Sequence, residues 1–142
     1  MPRVLIVDDD TDFTEAARRV LQSDGHDVRV LTFVEKAMDA LQADPPDCLV
    51  LDVMFPEDAT AGFDLAREVR KRDELSRLPI LILTAVNTRF PLGFGPKDID
   101  NHWLPVQDFL EKPVDFDVLK ERVRRLCEEG KKAGRGYPRE SL

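Results

Sequence analysis

Short, almost purely aliphatic runs alternate along the chain with longer stretches in which apolar residues recur every three or four positions. The runs "RVLIV" (3–7), "DVRVL" (27–31), "CLVLD" (48–52), "PILILT" (79–84) and "VQDFLEK" (106–112) read as strands. The first, third and fourth place aliphatic side chains at consecutive positions, the pattern of strands covered on both faces in a parallel sheet. Between them, Phe13, Ala17, Val20 and Leu21 share a helical face, as do Val34, Ala37, Met38 and Leu41, then Phe63, Ala66 and Val69, and finally Leu119, Val123, Leu126 and Cys127. Strands alternating with helices predict an α/β domain, doubly wound by right-handed crossovers. One interval, 86–106, breaks the rhythm: Pro91, Gly93, Gly95, Pro96 and Pro105 argue against a long helix there, and an irregular or shortened fourth helix is expected. "DPPD" (44–47) stops the second helix, and Asp115 is placed to cap the last.

Composition narrows the class. The 142 residues suffice for one domain with a real core, and 42% hydrophobic with 35% charged residues is a globular balance. Twenty-eight acidic against 21 basic residues leave a net charge of −7, which argues against nucleic acid as the main partner. No segment approaches the length of a membrane span, and the apolar run at the N-terminus is too short for a secretory signal, so the expected compartment is the cytoplasm. The domain is expected over 2–129, with 130–142, "GKKAGRGYPRESL", as a basic, disordered tail or linker stub. Cys48 and Cys127 lack metal-ligand spacing and read as buried free thiols. His26 and His102 receive no role.

The chemistry concentrates where the strands end. In an open α/β sheet, ligands bind beyond the carboxyl ends of the strands, at the switch in strand order. There the chain carries Asp8, Asp9 and Asp10 after the first strand, Asp52 at the end of the third, Thr84 at the end of the fourth, and Lys112 followed by Pro113 after the fifth. Clustered acids repel one another unless they are solvated or share a cation. Carboxylates, a hydroxyl and an ammonium together make a magnesium and phosphoryl site: a hard cation takes carboxylate oxygens, and lysine offers a point charge to phosphoryl oxygen. Asp10 reads instead as a helix-start acid.

With "VLIVDDD", "PPDCLVLDVMFP", "GFDLAREVR", "LPILILTA" and "DFLEKPV" in this order and near the expected spacing, the chain over about 2–129 resembles the receiver domains of two-component response regulators. The resemblance implies a flavodoxin-like five-stranded parallel sheet of order 2-1-3-4-5. It implies that Asp52 is a phosphoacceptor attacking a phosphohistidine on a sensor histidine kinase or a histidine phosphotransfer protein. Asp9, Asp52 and the backbone carbonyl of Met54 would bind Mg²⁺ directly, and Asp8 would hold it through water or orient that shell. Lys112 would pair with a phosphoryl oxygen, the Thr84 hydroxyl would swing to another, and Phe109 would be the aromatic switch that follows Thr84. The Lys112–Pro113 bond would be cis. A downstream protein would read the altered face, with the domain a monomer or a phosphorylation-dependent dimer and no nucleic acid or membrane bound by this domain. No enzymatic output is implied beyond self-phosphorylation from a phospho-donor.

The chain departs from that family in three places. The loop after Asp52 is longer, with Pro56 at the usual distance, Gly62 about two residues late, and Glu57 and Asp58 as extra acids. Met54 and Val86, which would flank the path of a hydrolytic water, are both apolar, and slow loss of the phosphoryl group is expected. In the 86–106 interval Phe90, Phe94 and Trp103 are expected to cover the sheet where a helix normally would. Rival readings are a receiver-like scaffold that binds its partner without phosphorylation, an aspartyl-phosphate phosphohydrolase, and a flavin-binding electron carrier. Met54 stands where the phosphohydrolase needs a second acid, and the triplet at 8–10 would repel a flavin phosphate.

Overall fold

The aliphatic runs are strands: β1 (Arg3–Val7), β2 (Asp27–Leu31), β3 (Cys48–Asp52), β4 (Ile80–Ala85) and β5 (Asp108–Lys112). The helices are α1 (Thr11–Ser23), α2 (Ala37–Ala43), α3 (Ala61–Lys71) and α4 (Phe116–Lys132), with single 3-10 turns at Val34–Lys36 and Asp73–Leu75. This computed structural model describes residues 2–52, 61–85 and 108–132. Met54, the acids of the loop after Asp52, Val86, the 86–106 interval with its aromatics and His102, and residues 133–142 lie outside the described residues.

The sheet is parallel throughout and ordered β2-β1-β3-β4-β5, as the resemblance implies. Side chains of successive residues leave a strand on opposite faces, so the continuous runs fill two cores. Leu5, Val7, Leu49, Leu51, Ile80 and Ile82 meet Ala37 and Leu41 of α2 and Leu65, Ala66 and Val69 of α3 on one face. Val4, Ile6, Val50, Leu81 and Leu83 meet Ala17 and Leu21 of α1 and Leu119, Val123, Leu126 and Cys127 of α4 on the other. The two faces take up the predicted apolar positions of α1 other than Val20, those of α2 and α4, and Ala66 and Val69 of α3.

Three element boundaries differ from expectation, one being the end of β4 at Ala85, a residue past Thr84. β4 begins at Ile80 because Pro79 has no N–H for the ladder, although its carbonyl accepts from the Leu49 amide at 2.9 Å. α4 runs to Lys132, past the boundary expected at 129, since each residue added to an existing helix gains a backbone hydrogen bond that offsets the poor propensity of Gly130.

Local chemistry sets the helix ends. Asp10 is the N-cap of α1, its Oδ1 accepting from the Phe13 amide at 3.1 Å, and Asp115 Oδ1 accepts from the Asp117 amide at 2.8 Å at the start of α4. Gly25, at φ +94°, turns the chain out of α1. His26 has a structural role the sequence did not reveal: it is buried, and its backbone amide (3.1 Å) and ring Nδ1 (3.2 Å) both donate to the Leu21 carbonyl at the helix end. Cys48 and Cys127 are buried and free. Their hydrogen bond, together with burial, pushes the Cys48 thiol well above its usual range.

At the amino ends of the strands, Arg3 pairs with Asp44, and Arg29 Nη2 donates to the Asp44 carbonyl at 2.9 Å. The Arg3 amide donates to Asp47 Oδ2 at 2.7 Å, and the Asp47 amide returns a bond of 2.7 Å to the Arg3 carbonyl.

Candidate functional site

Parallel strands deliver their carboxyl ends to one edge, and the register sets which residues meet there. Val7 pairs with Leu51, so Asp8 leaves β1 level with Asp52 of β3. Ala85 pairs with Lys112, which brings the last residue of β5 to the same edge. The Asp8 amide still donates to the Leu31 carbonyl of β2 at 3.0 Å, fixing the chain as it turns away.

The charged groups converge. Lys112 Nζ donates to Asp8 Oδ2 at 2.8 Å and lies 3.7 Å from Asp52 Oδ2. Asp8 is fully buried, with its Oδ1 accepting from the Asp10 amide at 2.9 Å, so both oxygens are engaged. Asp52 is 1% exposed, whereas Asp9 is exposed. One oxygen each from Asp8, Asp9 and Asp52 lie within 4.8 Å of one another. Two buried carboxylates at that spacing repel by roughly 3–4 kcal/mol at an effective dielectric near 20. Lys112 offsets part of this, and among the described residues gathered here three carboxylates surround one ammonium.

The donor set is all carboxylate oxygen, with two members buried and one open to water. That suits a hard divalent cation such as Mg²⁺, which takes few protein ligands and keeps water in its shell. Such an ion would offset the residual charge.

Asp8, Asp9, Asp52 and Lys112, four of the residues singled out in the sequence, are thus brought together. Thr84 is the next-to-last residue of β4 and pairs with Glu111, and Phe109 of β5 pairs with Ile82, which places both backbones in the strands that carry the site. The Met54 carbonyl lies outside the described residues. Asp10 belongs to the site through its backbone amide, while its carboxylate caps α1. The Lys112–Pro113 bond is cis.

One contact was not legible in the sequence. Phe13, read from its spacing as a core residue of α1, presents its ring to Lys112 Nζ at 4.7 Å from the centroid. Phe116 of α4 stacks on that ring, with centroids 6.0 Å apart and planes 18° from parallel. The available signal was topological: right-handed crossovers put α1 and the last helix on one face, so their first turns neighbour each other beside the site.

Comparison with known proteins agrees with this geometry. The sequence model of the response regulator receiver domain matches residues 4–124. The transcriptional regulatory protein AfsQ1 of Streptomyces coelicolor is 32% identical over 93% of this chain and 54% of its own length. The response regulator MprA of Mycobacterium avium is 36% identical over 87% of this chain and 50% of its own. The chain spans about half the length of these relatives. Among solved structures, the receiver domain of the Francisella response regulator 1452 superposes with a TM-score of 0.73 at 26% identity, covering 90% of this chain and 98% of that one. The receiver domain of a signal transduction histidine kinase from Syntrophus aciditrophicus gives 0.73 at 26%, covering 90% and 91%. With its parallel sheet of order 2-1-3-4-5, its acidic edge and a family match over most of its length, the chain belongs to the response regulator receiver domains.

Proposed function

We propose that this receiver accepts a phosphoryl group on Asp52 from a sensor histidine kinase or a histidine phosphotransfer protein, and that the modified domain presents an altered face to a downstream protein. The observation that carries the reading is Lys112 Nζ lying between Asp8 and Asp52, 2.8 Å and 3.7 Å from their oxygens, beside the three clustered carboxylates.

An Asp52 carboxylate oxygen attacks phosphorus in line with the donor's leaving imidazole. The new O–P bond forms as the P–N bond breaks, and the imidazole leaves with its electron pair. Lys112, already within 4 Å of Asp52, meets the phosphoryl oxygens and offsets their charge. Asp8 keeps the ammonium in place while its other oxygen is held by the Asp10 amide. Asp8, Asp9 and Asp52, with the Met54 carbonyl, are the residues that would hold Mg²⁺. When bound, the ion supplies neutralisation of the acids and of the incoming phosphoryl group. Thr84 and Phe109 are assigned the switch: the hydroxyl moves to a phosphoryl oxygen, and the ring follows it.

The domain's role ends at phosphorylation and partner binding, with no enzymatic output of its own. With a net charge of −7 it is assigned no nucleic acid, and it works in the cytoplasm, as a monomer or as a dimer formed on phosphorylation. No described helix is long and apolar enough to cross a membrane.

The test is incubation with Mg²⁺ and phosphoramidate, followed by intact mass measurement. A gain of one phosphoryl group is expected for the unsubstituted chain and none for Asp52→Asn. Sustained release of inorganic phosphate with no lasting gain would favour a phosphohydrolase. A folded chain with neither gain nor release would point to a scaffold that works without phosphorylation.

A further inference from the structure

We propose that Phe13, braced by Phe116, is a positioning residue that holds the Lys112 ammonium over the acidic edge. The inference rests on the reading that Lys112 serves phosphoryl transfer to Asp52. A core phenylalanine in the first turn of α1 needs only aliphatic neighbours. This one instead turns a ring face to a cation at 4.7 Å, within the range at which the ring's quadrupole attracts an ammonium. Its orientation is fixed from two sides. The Phe13 amide is tied to Asp10 Oδ1, and the ring is stacked on Phe116. Both rings also pack on the apolar cluster of Leu119 and Val123.

The attraction differs in kind from the two carboxylate contacts. An ammonium has three N–H donors, and the carboxylates compete for them, whereas a ring face holds the charge without an oxygen acceptor. Donors thus stay available for an incoming phosphoryl oxygen, while the long side chain, 19% exposed, is kept from swinging into water. The same ring joins the two segments that build the site: the start of α1, whose Asp10 amide holds Asp8, and the end of β5, which carries Lys112.

The test weakens the ring's quadrupole while nearly preserving its shape. Phenylalanine carrying one, two or three fluorines is placed at position 13 of the full chain, and the initial rate of phosphoryl gain from phosphoramidate is measured at saturating Mg²⁺. The logarithm of the rate is expected to fall stepwise with each fluorine, by about fivefold in all, with an unchanged melting temperature. Proton NMR of the Mg²⁺-free protein gives a second reading. The Lys112 ε-methylene signals are expected upfield, shifted by the ring current, and to return to ordinary values in Phe13→Leu. A flat rate series in a chain that gains its phosphoryl group normally, or unshifted ε-methylene signals, would overturn the positioning role alone. No gain even in the unsubstituted chain would overturn the proposed function, and this role with it.

Discussion

The two ends of the sheet are built from the same strands, yet their charged groups are organised differently. At the amino ends, the Arg3 and Arg29 guanidiniums pair with Asp44 in contact with solvent, with Arg3 and Asp44 37% and 46% exposed, and the buried Asp47 is held by the Arg3 backbone amide. At the carboxyl ends, Asp8, Asp9 and Asp52 gather around Lys112, and Asp8 and Asp52 are almost wholly buried. The exposed Arg–Asp44 pairs can be stable by themselves and are expected to contribute little, since exposed pairs are worth about 0–1 kcal/mol. Clustered, buried carboxylates at the other end cost stability, a cost that a cation relieves. A fold keeps such an end only where another requirement opposes stability, and the proposed function supplies one.

Adding a cation to the costly end should produce the largest change. If Mg²⁺ binds there, a concentration a hundredfold above its dissociation constant stabilises the fold by about 2.7 kcal/mol. For a chain of this size that is roughly an 8 °C rise in melting temperature. Sodium chloride at equal ionic strength should not reproduce the rise, and Asp9→Ala should shift the Mg²⁺ titration to higher concentration. Removing the existing cation comes next. Lys112→Met leaves Asp8 buried without its partner and should cost about 2 kcal/mol in urea without Mg²⁺, less than a fully buried broken pair because Lys112 is partly exposed. At the amino end, Asp44→Ala should cost under about 1 kcal/mol and leave phosphoryl acceptance unchanged.

The smallest effect concerns the strand that links the two ends. β3 starts at Cys48 and finishes at Asp52. Because the Cys48 thiol titrates higher in the fold than in the unfolded chain, its contribution is complete below the unfolded value of about 8.5. It is lost as pH climbs from there through the raised folded value. Urea midpoints measured from pH 8 upward should therefore fall more steeply for the unsubstituted chain than for Cys48→Ala.

Much of this was legible in the chain because its main signals are local. Consecutive aliphatic residues at 3–7 and 48–52 can be satisfied only by burial on both faces, and the strand ends follow from where charge interrupts the runs. Asp8, Asp9, Asp52 and Lys112 were identified because each stands directly at such an end. Strand order was different: it came from the resemblance, since periodicity does not say which strands are neighbours. The contacts that escaped reading join distant helices or use backbone groups. Phe13 has the spacing of a core residue, and only the placement of α1 beside α4 turns its ring toward Lys112. His26 looked idle because its partner is a backbone carbonyl at the end of α1, and a carbonyl has no side-chain signature.

If the acidic edge serves to place a phosphoryl group on Asp52, reductive trapping will locate that group. An aspartyl phosphate is an acyl phosphate, which borohydride reduces to homoserine. After treatment with phosphoramidate and Mg²⁺ and then borohydride, peptide mass analysis should find homoserine at position 52 and at no other aspartate, and none when donor or Mg²⁺ is omitted. Homoserine at Asp8 or Asp9 instead, or unmodified Asp52 in a folded sample trapped within seconds of mixing, would mean that Asp52 is not the phosphoacceptor.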